Sequence, residues 1–264
     1  MYSGVRLWQL IAMCIVLFAW QHHDRYPLVV AANRDEFYHR PAEPARWRDG
    51  ILCGLDLSAG GTWLGVTRDG RFAVVTNFRE PLQDSSHGVL SRGALPMGFL
   101  EGTQSPEAYC RSIAGEQEQY GPFNLLVSDG ASLWYVSNRG AEPQAVAPGI
   151  HGLSNGLLDT PWPKVERGKQ KLEKALGENG HHEPLLELLQ DNWTPDDHWL
   201  PETGVGIEME RLVAPIFIHS AQYGTRASTV VHLREDGPAK FFEQRWSHGG
   251  QPDGQTQESR GSSE

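Results

Sequence analysis

The sequence predicts a layered α+β fold in which antiparallel sheets pack face to face with helices outside them. Two observations carry this. Apolar, strand-like runs recur along the chain, and several are joined in pairs by Asp-Gly turns. Helical patterns fall in separate blocks between those pairs, which is the order of an α+β chain and not of alternating βαβ units.

Taken in order, the first strands are CIVLFAW (14–20), LVVAANR (28–34) and ILCGL (51–55). Three hairpins follow. TWLGV and RFAVVTN flank Asp69-Gly70, FNLLVSD and SLWYVSN meet near Asp129-Gly130, and STVVHLR and KFFEQRW flank Asp236-Gly237-Pro238. Tight hairpin turns need positive φ, which glycine adopts without a Cβ clash. Ser105 before Pro106 reads as an N-cap followed by proline at the first helical position, and EAYCRSIAG continues that helix. Further helices are expected from Lys164 to about Leu176 and over EPLLELLQ (183–190). The tail from Ser247 to Glu264 has no Val, Ile, Leu or Phe. It cannot bury enough apolar surface to offset its ordering entropy, so disorder is expected there and the folded domain is placed at 13–246.

Composition narrows the function. A chain of 264 residues fits one large domain or two small ones. It carries 23 Lys and Arg against 33 Asp and Glu, a net charge of −10, which repels a phosphate backbone and argues against nucleic acid as a partner. Cys14, Cys53 and Cys110 are odd in number and widely spaced, with no CxxC. Neither a disulfide framework nor a thiolate metal site is indicated, and a reduced, cytoplasmic setting is expected.

The start of the chain is apolar over LWQLIAMCIVLFAW (7–20), after Arg6. That is the general form of a secretory signal. It is shorter than the roughly 20 apolar residues a bilayer-spanning helix needs, so no stable membrane insertion is expected. A lipidated cysteine would follow a small residue, whereas Met13 precedes Cys14. The expectation is that translation begins at Met13 and that 1–12 is an extension outside the domain.

Cys14 is then residue two, and its small side chain permits removal of the initiator methionine. A terminal cysteine carries a thiol and a free α-amine, whose ordinary pKa of about 7.7–8.0 suits a general base. The amine can take the thiol proton, and the thiolate can attack a carbonyl carbon. The simpler account of Cys14 is packing in the first strand. Asn33-Arg34-Asp35-Glu36 ends the second strand. A strand end entering solvent explains such a run, but an arginine beside a thiol also lowers its pKa, and an aspartate can orient an α-ammonium. Asn77 ends RFAVVTN and Asn155 lies in GLSN. A carboxamide there can donate to a developing oxyanion, although asparagine is also a common turn residue. Arg226, in YGTRAST, can pair with a carboxylate of the protein or of a ligand.

GGTWLG (60–65) lacks both the GK[ST] ending of a phosphate loop and the dinucleotide glycine spacing. A close backbone approach explains its glycines. The histidine pairs at 22–23 and 181–182 lack helical metal spacing.

These motifs assemble. MCIVLF (13–18), ANRDE (32–36), RPA (40–42), GGTWLG (60–65) and VTNFR (75–79) occur in order. SRG-x-L (91–95), FNLLV (123–127), GLSNGLLDTPWPKV (152–165) and YGTRASTV (223–230) complete the series. The chain resembles the NRDE family, also called the transport and Golgi organisation protein 2 family, from Met13 to about Trp246. That family is similar in pattern to cysteine N-terminal-nucleophile (Ntn) hydrolases such as the choloylglycine hydrolases. The resemblance implies a four-layer αββα sandwich and an amidohydrolase acting on a non-peptide amide, with no cofactor required. It implies Cys14, Asp35, Asn77, Asn155 and Arg226 as site residues, with Arg34 as the early arginine. Arg34 and Asp35 are adjacent here, where those enzymes separate the two. Strand neighbours point to opposite faces, so both reach the thiol only through a bend or bulge. The family also implies a rival class: a non-catalytic carrier of haem or of an acyl thioester, with His219 in IFIHS as a conceivable axial ligand.

Overall fold

The computed structural model describes residues 13–80, 89–176, 181–235, 237 and 239–258. The expectations for residues 1–12 and 259–264, and for Asp236 and Pro238 of the third hairpin turn, lie outside the described residues. The chain runs β1 (Cys14–His23), β2 (Tyr26–Phe37), β3 (Ala42–Arg48), β4 (Ile51–Asp56), β5 (Leu64–Thr67) and β6 (Phe72–Asn77). Two helices follow, α1 (Ala94–Glu101) and α2 (Pro106–Gly115), then β7 (Phe123–Ser128), β8 (Leu133–Ser137), β9 (Gln144–Ala145) and β10 (Gly149–Leu153). Helices α3 (Pro163–Leu176), α4 (His182–Leu189) and α5 (Ile207–Val213) precede β11 (Tyr223–His232), β12 (Lys240–Ser247) and β13 (Gln251–Glu258).

The strands form two antiparallel sheets, ordered β10-β1-β2-β11-β12-β13 and β3-β4-β5-β6-β7-β8-β9. Helices α3 and α4 cover the first sheet, and α1 and α2 cover the second. The result is the four-layer αββα sandwich expected. Val16, Phe18 and Val30 of the first sheet meet Leu52, Val66, Val74 and Leu126 of the second in the central core. Ile15, Leu17, Val29 and Ala31 face the other way, onto Leu172, Leu185 and Leu189 of α3 and α4. Strands β1 and β2 are thus buried on both faces, which is why CIVLFAW is a continuous apolar run and not an alternating one. Among the described residues, no helix is long and apolar enough to cross a membrane.

The Asp69-Gly70 and Asp129-Gly130 turns sit in their hairpins, with Gly70 and Gly130 at φ 86° and 85°. The side chain of Ser105 accepts from the Ala108 N–H at 3.2 Å, capping α2 as expected. Helix α1 escaped the sequence reading because ALPMGFLE holds both a proline and a glycine. Packing of Leu95, Phe99 and Leu100 fixes it instead, with the Tyr109 hydroxyl donating to the Leu95 carbonyl at 2.7 Å.

The tail requires a correction. Residues 251–258 are not disordered but form β13, paired along β12 from Ser247↔Gln251 to Phe241↔Glu258. The tail does lack apolar burial. It is ordered by ladder hydrogen bonds and polar side-chain pairs: Gln255 Nε2 donates to Gln244 Oε1 at 2.7 Å and Arg245 Nη1 to Thr256 Oγ1 at 2.9 Å. Composition alone does not register an edge strand held that way.

One core residue sets an acid limit. His232 is buried, its Nε2 has no partner, and its ring lies 4.8 Å from that of Tyr26. Burial pushes its pKa down to about 3 from an ordinary 6.5. Between those values the unfolded chain binds a proton that the folded chain does not, so stability falls as pH drops through the window. This group contributes a slope of about 1.4 kcal/mol per pH unit. His232→Gln is expected to flatten the urea-midpoint profile between about pH 6 and about pH 4; an unchanged slope contradicts this assignment.

Candidate functional site

The site forms where β1 starts. Cys14 stands directly opposite Arg34 in the β1–β2 ladder, so the two side chains share a face. Asp35, the next residue, turns to the other side. On β11, Thr225 is opposite Asp35 and Ala227 is opposite Arg34, which leaves Arg226 as the extra residue of a bulge. Arg34 therefore shares the thiol's face of the sheet, while the Asp35 main chain holds the backbone that leads into it.

That backbone is held closely. The Asp35 N–H donates to the Met13 carbonyl at 3.0 Å, and the Met13 N–H donates to the Tyr223 hydroxyl at 2.7 Å. Met13 is wholly buried among Phe37, Val213, Ile218 and Tyr223. Thr225 Oγ1 donates to Asp35 Oδ1 at 2.7 Å, whereas Asp35 Oδ2 is buried with no partner. Ser154 Oγ donates to the Cys14 carbonyl at 2.9 Å, tying the end of β10 to the start of β1.

Four buried charges gather behind this junction: Asp35, Arg79, Lys164 and Glu210. Lys164 donates to the Val213 carbonyl at 3.1 Å. Arg79 Nη1 lies 3.1 Å from Glu210 Oε2, an ion pair not aligned for a hydrogen bond. Two cations and two anions leave the set neutral. Burial pushes the Asp35 carboxyl up, opposed chiefly by Lys164, and pushes Lys164 down, opposed chiefly by Asp35. The Cys14 thiol is pushed up to about 12, first by burial and then by the Asp35 charge; Arg34 pulls it back only in part. While Met13 is attached, the sulfur is a thiol at neutral pH.

Asn77 ends β6 on the wall of a cavity of about 1220 Å³ that also borders Cys14, Arg34, Asp35 and Arg226. Five of the six expected residues thus meet at one cavity. Asn155 is set behind its wall: it is fully buried, and its Nδ2 donates to the Asn77 main-chain carbonyl at 2.8 Å. Its own carbonyl accepts the Arg79 N–H at 2.7 Å. Arg226 Nη1 donates to the carbonyls of Phe37, Tyr38 and Arg40 at 2.9, 3.2 and 3.2 Å, pinning the chain after β2. His219 is exposed and does not border the cavity.

A second wall of the cavity is built from glycines. A Cβ on Gly61 would fall 2.3 Å from the Gly93 carbonyl oxygen, and one on Gly93 would fall 2.7 Å from that of Gly60. The Thr62 N–H donates to Gly93 O at 3.1 Å, closing the contact. Gly61→Ala is expected to cost about 1–3 kcal/mol, because its φ of 78° and the backbone contact both exclude a side chain. Urea unfolding checks it, and a neutral substitution contradicts the close approach.

Sequence reasoning missed Arg79, Lys164, Glu210 and Tyr223. Lys164 carried a legible signal: it stands in register with Gly168, Leu172 and Leu176 on the buried stripe of α3, where a lysine is out of place.

The fold and site define a class: an αββα sandwich with a cysteine at the first position of its first strand, facing a large cavity. The family model for Transport and Golgi organisation 2 matches residues 13–248, and the chain belongs to that family. It is 36% identical to the Transport and Golgi organization protein 2 homolog of Bos taurus and 34% identical to that of Homo sapiens. Each alignment covers 88% of this chain and 92% of the relative. Identity to Transport and Golgi organization protein 2 of Drosophila melanogaster is 25% over the same shares. Two solved structures are similar at low identity. Penicillin V acylase from Agrobacterium tumefaciens has a TM-score of 0.44 at 12% identity, covering 88% of this chain and 82% of that one. A mutant conjugated bile acid hydrolase from Clostridium perfringens has 0.48 at 8% identity, covering 93% and 96%.

Proposed function

We propose that this protein is an N-terminal-cysteine amidohydrolase acting on a non-peptide amide of a small molecule, in a reduced, cytoplasmic setting. The observation that carries the reading is the placement of Cys14. It borders the cavity opposite Arg34, and Asp35 grips the peptide unit just before it. Loss of Met13 converts the Cys14 nitrogen into an α-amine next to the peptide position that Asp35 holds, and Asp35 Oδ2 has no hydrogen-bond partner among the described residues.

The amine takes the thiol proton and the sulfur attacks the amide carbon. The C–N bond breaks as the amine leaving group accepts that proton, leaving an acyl thioester on Cys14. Water then adds to the thioester carbon, the C–S bond breaks, and the thiol and a carboxylic acid are released. Arg34 stabilises negative charge on the sulfur. Asn77 is the candidate for the oxyanion, and Asn155 positions it through the Asn77 carbonyl. Intact-mass measurement after rapid acid quench with a turned-over amide tests this. The expected result is a mass increase equal to the acyl group, on Cys14 and released by hydroxylamine. Turnover without a Cys14 adduct under single-turnover conditions contradicts the reading.

The volume of the cavity supports a second reading, since about 1220 Å³ exceeds the usual ligand pocket of roughly 300–1,000 Å³. A non-catalytic carrier of haem or of an acyl thioester would use that space. Titration with haemin distinguishes it: a saturable Soret shift supports haem binding, and its absence removes that branch.

A further inference from the structure

Arg92 belongs to the SRG-x-L segment, which the proposed reaction does not use, and it borders the same cavity as Cys14. Arg34, Arg40, Arg226 and Arg245 border it too. Those four are committed. Arg34 and Arg40 meet Asp56 at 3.1 and 2.7 Å, and Glu36 at 3.6 and 3.5 Å. Arg245 meets Glu243 at 3.7 Å and donates to Thr256 at 2.9 Å. Arg226 has no acid within ion-pairing distance among the described residues, but its Nη1 is held by three carbonyls and its Nε is buried in the protein.

Arg92 differs. Its Nη1 donates to the Pro122 carbonyl at 3.1 Å, and that is its one side-chain hydrogen bond among the described residues. No described carboxylate lies within ion-pairing distance of it. Among the described residues its Nε and Nη2 have no hydrogen-bond partner, yet neither is sealed from solvent, so both can meet a molecule in the cavity. Burial pushes the guanidinium pKa down, and the Arg40 cation adds to this, whereas a thiolate on Cys14 would oppose it first and the Glu36 carboxylate next. The cation therefore sits within electrostatic reach of the sulfur. The interlocked backbones of Gly60-Gly61 and Gly93 hold its base firmly, as a recognition residue requires.

A partly buried cation with no acid within ion-pairing distance among the described residues, in a chain of net charge −10, is a site for an external anion. One planar guanidinium presents paired N–H donors that match a carboxylate. We propose that Arg92 binds a carboxylate of the substrate, so that the substrate class is a small amide bearing a carboxylate, as in N-acyl amino acids. The word substrate rests on the amidohydrolase reading, whereas the carboxylate site rests on the cavity itself.

Binding to a chain that cannot turn over separates the two. The full chain carrying Cys14→Ala is titrated with N-acetyl-, N-butanoyl- and N-octanoylglycine, each against its methyl ester, by the fluorescence of Trp63 and Trp246 on the cavity wall. At least one acid is expected to bind roughly tenfold or more tightly than its ester. Arg92→Gln in the same background abolishes that preference, and Arg92→Lys restores part of it. Unchanged circular dichroism shows that the variants fold. A preference that survives Arg92→Gln, equal binding of acid and ester, or no binding of any acid overturns the proposal. Carboxylate binding without turnover by the wild-type chain would overturn the hydrolase reading and leave this site standing.

Discussion

Replacing Cys14 with alanine is expected to abolish amide turnover, by at least roughly a thousandfold, and to leave a folded chain. The thiol is the sole attacking atom in the proposed reaction, and the other two cysteines, Cys53 and Cys110, lie in the separate core under α1 and α2. The structural cost is small, since the lost atom is one sulfur on a residue already 7% exposed. Cys14→Ser is a sharper version. It keeps a nucleophilic atom in place but lacks thiolate reactivity, and a large loss is expected there also. Steady-state rates on any amide that the wild type cleaves, with circular dichroism to confirm folding, decide the matter. Activity of Cys14→Ala within tenfold of wild type contradicts the mechanism.

The second large effect concerns stability. Arg79→Ala is expected to destabilise the fold by about 3–5 kcal/mol, because it strands Glu210 as a buried carboxylate without its cation. Removing the guanidinium also breaks its contact over the Trp162 ring, 4.6 Å from the centroid. The paired replacement Arg79→Met with Glu210→Leu should recover most of the loss, since apolar groups of similar volume need no partner. The backbone contact from the Arg79 N–H to Asn155 survives either change. Urea unfolding of the single and double variants reads the comparison. A single variant as stable as wild type contradicts the electrostatic account of this set.

Much of the fold was legible, because strand and turn chemistry spoke clearly. The Asp-Gly turns located the hairpins, and the doubly apolar runs of β1 and β2 announced a strand pair buried on both faces. Strand β13 was illegible because backbone pairing, not side-chain burial, holds it. The site was half legible. Cys14, Arg34, Asp35, Asn77 and Arg226 converge on one cavity, but the adjacency of Arg34 and Asp35 found its explanation only in register. The ladder sets one beside the thiol and the other behind it. Asn155 lies one step back from the expected position, because what it holds is the Asn77 backbone. The partners Arg79–Glu210 are 131 positions apart in the chain, so no local pattern links them. The position of Arg92 is visible only once the acids and carbonyls that engage its neighbours have been located.

The central claim is that Cys14 acts with a free α-amine, and tandem mass spectrometry of the N-terminal peptide from catalytically active protein tests it most directly. The account predicts that the active molecules begin at Cys14 with an unmodified amine. Full activity in molecules that retain Met13, or whose Cys14 nitrogen is acylated, would contradict it, because the base assigned to the thiol proton would then be missing.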